Sequence, residues 1–178
     1  TFAGDIAVQQ RLLKRGFDVV LARGSDVPAD GSSARGSSLI IQSSSLGSGT
    51  LEDANGVGKF RNLAIPAMDW EASSEDAFAF QAANGGTTGG QTQVNIVDPS
   101  SPLAAGFPKG LVTVTGSETY SQGQPVGARI VATLASDPSQ AIIFGYEKGD
   151  KGASGFVMPA RRAFFFFQDN TAAVANDN

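Results

Sequence analysis

The expected fold depends on one stretch, DIAVQQRLLKRGFDVVL at residues 5–21. Its first part predicts a helix, because the apolar side chains fall within an arc of roughly 160° on a helical wheel; they are Ile6, Val8, Leu12 and Leu13. Asp5 can accept from the free amides of the first turn, and Gly16 can end the helix. Phe17–Leu21 then predicts a short strand. Helix, glycine and strand form half of an α/β unit, so we expect an α/β domain.

The composition excludes several classes of active site. The chain has 178 residues, 41% of them apolar and 17% charged, with no Cys and no His. Without Cys there is no thiolate nucleophile and no disulfide, and without His there is no imidazole base or imidazole ligand. Triads that rely on His and zinc sites of the usual ligand sets are therefore excluded.

The charge balance bears on partners and location. The net charge is −4, and the only paired cations are Lys14/Arg15 and Arg161/Arg162, so no basic stripe is available for nucleic acid. No apolar run approaches the roughly 20 residues that a membrane-spanning helix needs, so we expect no membrane insertion. Low charge with abundant Gly, Ser, Thr and Asn is typical of secreted bacterial modules, which favours an extracellular or cell-surface location.

Further apolar runs predict the rest of the sheet. They are Leu39–Ile41, Leu63–Met68, Val94–Val97, Leu111–Val114, Ile130–Leu134, Ala141–Tyr146 and Ala163–Phe167. Four consecutive Phe residues, 164–167, would bury both faces of the last strand, as expected for a central strand. Residues 51–60 predict a weak helix, and the Gly- and Thr-rich residues 85–90 predict a flexible turn or loop. No repeat or linker divides the chain, so we expect one domain over residues 1–178.

Two polar clusters are candidate ligand sites. Small polar residues follow the strand at Leu39–Ile41, and we take Ser43, Ser44, Ser45 and Ser48 as candidates to hold a sugar or a phosphate. Asp69, Trp70 and Glu71 follow the next strand and include the only Trp. A Trp flanked by carboxylates can stack on a sugar ring and accept its hydroxyl hydrogen bonds. Both clusters can also be read as structure: a tight soluble loop, and a packed Trp with solvated acids.

Catalysis by Asp69 and Glu71 is a weaker candidate. In an extended strand the two carboxylates would share one face about 7 Å apart, at roughly 3.3 Å per residue. That spacing is compatible with acid–base work on a glycosidic bond and does not diagnose it. A third set, Glu147, Arg161 and Arg162, predicts a structural ion pair near the end of the sheet. No calcium-loop pattern is present, and we expect neither a metal nor a cofactor.

Several segments occur in an order that one known family shares. They are Gly4-Asp5 leading to Leu12–Phe17, Leu39–Ile41 running into serines, Asn62–Pro66 followed by Asp69–Glu71, Ser101–Gly106, Tyr146–Gly149, and Pro159–Arg162 before the Phe-rich strand. Together they resemble a bacterial branch of the class I glutamine amidotransferase-like domains, related to the trehalose-utilisation (ThuA-like) proteins. The resemblance implies a flavodoxin-like, doubly wound and mainly parallel sheet, with helices on both faces and additional antiparallel strands.

The chain departs from that family in its chemistry and at both ends. Active members of the superfamily use a Cys nucleophile supported by His and Glu, and this chain has neither Cys nor His. The family also has a strand before Gly4-Asp5 and a helix after the Phe-rich strand, whose entrance Asn176-Asp177-Asn178 resembles. We therefore expect a chain that lacks an N-terminal strand and a C-terminal helix.

The resulting expectation is a non-catalytic binding or assembly module of a larger secreted bacterial protein. Its expected partners are other domains or copies of the same protein, and a polysaccharide at the serine loop and Trp70. One alternative is a polysaccharide hydrolase that uses carboxylates only. A further alternative is a structural subunit of an extracellular assembly.

Overall fold

The computed structural model describes residues 2–175, which form a seven-stranded sheet with few helices. The strands are β1 (Ile40–Gln42), β2 (Ala67–Asp69), β3 (Gly86–Ile96), β4 (Gly110–Gln122), β5 (Arg129–Leu134), β6 (Ala141–Tyr146) and β7 (Arg162–Phe165). The helices are α1 (Ala3–Lys14) and the single turn α2 (Thr171–Val174). Residues 176–178, where the resemblance places the entrance to a terminal helix, lie outside the described residues.

The order and direction of the strands correct the expected fold. The order is β1-β2-β7-β6-β5-β3-β4; β1, β2 and β7 are parallel, and the other pairings are antiparallel. The prediction of a flavodoxin-like, doubly wound, mainly parallel sheet is therefore wrong. Such a sheet needs helical crossovers on both faces, and within residues 2–175 only α1 is longer than one turn. Antiparallel strands joined by turns supply most of the sheet.

Three local predictions are wrong, because the secondary structure of these segments depends on which other segments pair with them. Residues 17–21 form no strand, and the backbone amides of residues 18–22 make no hydrogen bond within the described chain. Residues 51–60 form turns closed by a bridge between Glu52 and Gly58 instead of a helix. Residues 86–90, expected to be a loop, belong to β3 because the second half of β4 pairs with them across a bulge.

The sheet curls so far that its edge strand β4 meets the middle of the sheet. Gly123, just after β4, exchanges two backbone hydrogen bonds of 2.9 and 2.8 Å with Ala141 at the start of β6. The amide of Ser121 also donates to the carbonyl oxygen of Phe166, just beyond β7 (2.9 Å). The end of β4 thus crosses from one edge of the sheet to its centre, which gives the sheet a half-barrel shape.

Aromatic side chains fill the two sides of the curled sheet. On one side Phe144 stacks on Phe164, with ring centroids 4.9 Å apart, and both side chains are buried. On the other side Tyr120 packs on Phe166 at 4.5 Å. β7 lies inside the sheet, between β2 and β6. The Phe run therefore supplies apolar area to both faces, as its four consecutive rings indicate.

Helix α1 lies outside the sheet and contacts mainly α2. Its one buried residue is Gly4, whose amide donates to the carbonyl oxygen of Asp169 at 3.0 Å. A Cβ atom at Gly4 would lie 2.5 Å from that same oxygen. The close approach of two backbones therefore requires glycine at this position.

Replacing Gly4 by Ala is expected to loosen α1 and to lower the free energy of unfolding by about 1–3 kcal/mol, the usual cost of a forced backbone shift. Thermal and urea denaturation followed by circular dichroism measure the effect. Gln10→Ala, an exposed change on the same helix, serves as the control. A Gly4→Ala protein as stable as the wild type would show that the contact with Asp169 does not hold the helix.

Candidate functional site

The two predicted polar clusters meet, because β1 and β2 are parallel neighbours and both clusters follow their carboxyl ends. The indole Nε1 of Trp70 donates to the hydroxyl oxygen of Ser43 at 3.1 Å. Ser43 in turn donates to the carboxylate of Asp5 in α1 at 2.5 Å. This chain of hydrogen bonds joins β1, β2 and α1. It satisfies the polar atom of a buried Trp from inside the protein.

Trp70 offers no stacking face to a sugar. Only 4% of the residue is exposed, and its ring packs edge-on against Phe167, with centroids 5.8 Å apart. The carbonyl oxygen of Trp70 accepts from the hydroxyl of Ser121 on β4 (3.0 Å). The end of β4 and the chain after β7 thus cover the residue that the sequence marks as a carbohydrate contact.

The other serines of the loop also hold the fold. Ser44 donates to the carboxylate of Asp169 at 3.0 Å, and the amide of Ser45 donates to the hydroxyl oxygen of Ser43 at 3.2 Å. Ser48 is half-buried and begins a short 3₁₀ turn, Ser48–Thr50. The hydroxyls proposed for a sugar or phosphate at Ser43 and Ser44 are therefore engaged with Asp5 and Asp169.

Asp69 is an internal acid, 1% exposed. Its Oδ1 accepts from the amide of Glu71 (3.0 Å), and its Oδ2 accepts from the hydroxyl of Ser74 (2.9 Å). The side-chain amide of Gln42 donates to the same hydroxyl oxygen at 2.7 Å. Burial raises the pKa of Asp69 to about 8, against the lowering effect of these hydrogen bonds.

Glu71 acts as a helix cap in this structure. Its Oε1 accepts from the amide of Ser73 at 2.8 Å, at the start of the 3₁₀ turn Ala72–Ser74. Burial raises its pKa, and the charge of Asp169 adds to that effect. Asp69 and Glu71 thus serve separate internal hydrogen bonds, and they do not face one another across an open cleft.

Glu75 is the acid that the sequence reasoning missed. The side chain is fully buried, and neither carboxyl oxygen has a hydrogen-bond partner within residues 2–175. It lies against two glycines, since a Cβ at Gly85 or Gly123 would fall within 2.3 or 1.9 Å of its oxygens. Burial, together with the nearby charges of Asp69 and Asp76, raises its pKa to about 9.

No local signal identifies Glu75. It stands in the sequence Ser73-Ser74-Glu75-Asp76, which has the composition of an exposed polar turn. Its burial depends on Gly123, 48 residues later, which follows the long curled strand β4.

The predicted set of Glu147, Arg161 and Arg162 divides into two. Arg161 Nε donates to both carboxylate oxygens of Glu147, at 3.0 and 3.1 Å, and this pair is about two-thirds exposed. Arg162 takes no part in it and is 1% exposed. Its guanidinium instead donates to backbone carbonyl oxygens, those of Phe60, Arg61, Leu63, Ile65 and Arg161. Burial lowers its pKa to about 10.

The open concave surface lies elsewhere, in two adjoining clefts. One has a volume of about 380 Å³ and is bordered by the amide side chains of Gln81, Asn84, Gln124 and Gln140. The other has a volume of about 450 Å³ and contains Arg61, Asp76 and Phe156. Gln81 and Ala82 line both. The clefts contain none of the predicted site residues.

Comparison with known proteins adds no assignment. No protein-family model matches the chain, and no curated protein matches it significantly. Within residues 2–175 no group of three or more acidic side chains is arranged to hold a metal ion. In the same range no helix has the length and apolar character needed to cross a bilayer.

Proposed function

We propose that this chain is a non-catalytic assembly module that docks, through an apolar surface on α1 and the segment after it, onto another domain or another copy of the same protein. The observation that carries the proposal is the exposure of that surface. Val20 is 90% exposed, and the large apolar side chains around it in sequence are about half exposed; they are Phe2, Ile6, Leu13, Phe17 and Leu21.

These side chains come from two neighbouring stretches. At 100° per residue, Phe2, Ile6 and Leu13 lie on one stripe of the helix. Gly4, which packs on Asp169, lies on the other side of it. Phe17, Val20 and Leu21 follow in a segment whose amides at residues 18–22 have no hydrogen-bond partner within the described residues. Exposed apolar side chains together with unpaired backbone are typical of an interaction surface.

The charge around this surface indicates the character of its partner. Residues 1–24 contain four basic and two acidic side chains, whereas residues 25–178 contain nine basic and fifteen acidic ones. An apolar surface on a stretch with an excess of basic side chains is complementary to an acidic surface. The acidic remainder of a second copy, or an acidic neighbouring domain, meets that requirement.

The predicted catalytic residues support this proposal over a hydrolase. A carboxylate-only hydrolase needs two acids on opposite sides of an accessible bond. Asp69 and Glu71 are both buried and engaged in internal hydrogen bonds, and Trp70 is covered by β4. The polar cluster thus stabilises the fold, and the apolar surface remains for binding.

The double substitution of Val20→Asp and Leu21→Asp tests the proposal. The purified chain is expected to self-associate as its concentration rises, because burying apolar area is favourable by roughly 25 cal/mol per Å². Two buried carboxylates would oppose that association, so the variant is expected to stay monomeric. Size-exclusion chromatography with light scattering gives the mass, and circular dichroism checks the fold.

Val157→Asp is the matched control, because Val157 is 53% exposed and lies far along the chain from this surface. It is expected to associate as the wild type does. A wild type that stays monomeric at every concentration would exclude another copy as the partner, and equal loss of association in the Val157 variant would contradict the proposed docking surface.

A further inference from the structure

The cleft that contains Arg61 and Asp76 has the composition of a ligand site and lies outside the docking surface. Its volume of about 450 Å³ falls within the usual range for small-molecule sites. A guanidinium, a carboxylate, an amide, a hydroxyl and an aromatic ring meet there, from Arg61, Asp76, Gln81, Ser154 and Phe156. The cleft thus offers both signs of charge beside an apolar surface.

Arg61 is held in place without using its hydrogen-bond donors. Its guanidinium carbon lies 4.9 Å from the centre of the Phe156 ring, which holds the group by a cation–π contact. The side chain forms no hydrogen bond and no ion pair with residues 2–175, and its Nε is buried without a partner. A guanidinium in this state is suited to receive a carboxylate, which can accept from two of its N–H groups.

Asp76 supplies the opposite charge. Its Oδ1 accepts from the backbone amide of Ala77 at 2.9 Å. The side-chain nitrogen of Asn84, oriented toward the carbonyl oxygen of Ser73 and toward Asp76, donates to the same Oδ1 at 3.0 Å. Oδ2 is left without a hydrogen-bond partner within residues 2–175. Arg61 and Asp76 do not neutralise each other, since no ion pair joins them. The cleft therefore presents a cation and an anion that are both available to a ligand.

The walls of this cleft are fixed by backbone contacts. Ala79 and Ser154, which belong to two different segments lining the cleft, have φ angles of +60° and +54°. Residues other than glycine adopt this region only where surrounding contacts impose it, and such positions cluster at functional sites. The amide of Ala153 donates to the carbonyl oxygen of Ala79 at 2.7 Å, which joins the two segments. The charged groups are thus carried on walls that are already in position.

The neighbouring cleft extends the site with neutral hydrogen-bonding groups. It shares Gln81 and Ala82 with the first and adds the side-chain amides of Gln124 and Gln140, whereas the nitrogen of Asn84 is already engaged with Asp76. Side-chain amides both donate and accept, so they match the C=O and N–H groups of a peptide. We infer that the cleft of Arg61 and Asp76 binds a short peptide with free charged ends, whose carboxylate meets Arg61 and whose ammonium group meets Asp76, with the neighbouring amides at its edge.

Trialanine with free ends is the probe for this inference, and two blocked forms are its controls. N-acetyl-trialanine lacks the ammonium group, and trialanine amide lacks the carboxylate. Titration calorimetry and NMR shift mapping on the wild-type chain are expected to show binding of the free tripeptide. Each blocked form is expected to bind at least about tenfold more weakly, as charge-assisted hydrogen bonds of this kind require.

Protein variants then assign the two ends. In Arg61→Gln the free tripeptide and its amide are expected to bind equally and weakly, and in Asp76→Asn the free and acetylated forms are expected to do so. Arg129→Gln, which removes an exposed arginine paired with Asp98 elsewhere, is expected to bind like the wild type. Equal binding of all three peptides to the wild type, no binding of the free form, or unchanged selectivity in the Arg61 and Asp76 variants would overturn the inference. These outcomes do not depend on Val20 or Leu21, so they are independent of the proposed docking surface.

Discussion

Glu75→Gln is expected to stabilise the protein, by about 3 kcal/mol at pH 7. The folded state holds this carboxyl in its protonated form because burial raises its pKa to about 9 from 4.5. Above pH 4.5 the unfolded state gives up that proton while the folded state keeps it, which favours unfolding by about 1.4 kcal/mol per pH unit. Glutamine is neutral in both states, so the substitution removes the effect.

The pH dependence gives this prediction its sign. Because Glu75 binds a proton more tightly in the folded state, the wild type is expected to lose stability as pH rises from about 4.5 toward 9. Asp69, whose pKa is raised to about 8, adds a loss in the same direction that begins near pH 3.8, where this carboxyl ordinarily titrates. The gain from Glu75→Gln should accordingly be small at pH 5 and should grow up to about pH 9. Urea denaturation at a series of pH values measures it.

Glu147→Gln is the control for this series, because Glu147 lies in an exposed ion pair with Arg161. Exposed pairs of this kind contribute about 0–1 kcal/mol, so its effect should be small. A Glu75→Gln protein that is less stable than the wild type, or equally changed at pH 5 and pH 9, would contradict the protonated, unpaired carboxyl.

Arg162→Met is expected to destabilise the protein by about 3–5 kcal/mol, because several carbonyl oxygens lose their donor and each buried, unpaired carbonyl costs about 1–3 kcal/mol. The guanidinium donates at 2.7 Å to each of the carbonyl oxygens of Leu63 and Ile65, and at longer distances to Phe60 and Arg61. Methionine can fill part of the space but donates to none of them. Removing the guanidinium therefore leaves several buried carbonyl groups unpaired.

Arg161→Met provides a closely matched comparison, since it changes the adjacent arginine to the same residue. Arg161 is exposed, and its ion pair with Glu147 should contribute less than about 1 kcal/mol. Chemical denaturation of both variants gives the difference. Equal loss of stability in the two would show that the loop over residues 60–65 does not depend on Arg162.

Local pattern predicts most strands of this fold but not their arrangement. The apolar runs at Val94–Val97, Ile130–Leu134 and Ala141–Tyr146 all lie at strands of the sheet, because alternating or continuous apolar residues suit a pleated, buried surface. Residues 17–21 have the same character and form no strand, since no neighbouring strand pairs with them. Residues 86–90 lack that character and form one, since β4 supplies the hydrogen bonds.

The candidate site, too, can be predicted from the sequence only in part. The parallel pairing of β1 and β2 brings Ser43 and Trp70 together, as two loops at the carboxyl ends of neighbouring strands predict. Whether those groups are open to a ligand depends on Ser121 and Phe167, far along the chain, and on how strongly the sheet curls. Arg161 precedes β7 and Arg162 begins it, so the two side chains separate there, but the carbonyl oxygens around Arg162 come from a loop about 100 residues earlier.

The position of β7 in the sheet has a consequence for synthesis of the chain. β2 pairs with β1 on one side and with β7 on the other, and its partner in β7 at Ala67 is Arg162, 95 residues later. During translation β2 therefore stays without its second neighbour until nearly all of these residues have left the ribosome. An open apolar edge of that kind favours contacts between nascent chains. Vectorial folding from the N-terminus cannot complete this sheet, which closes only when its last strand arrives.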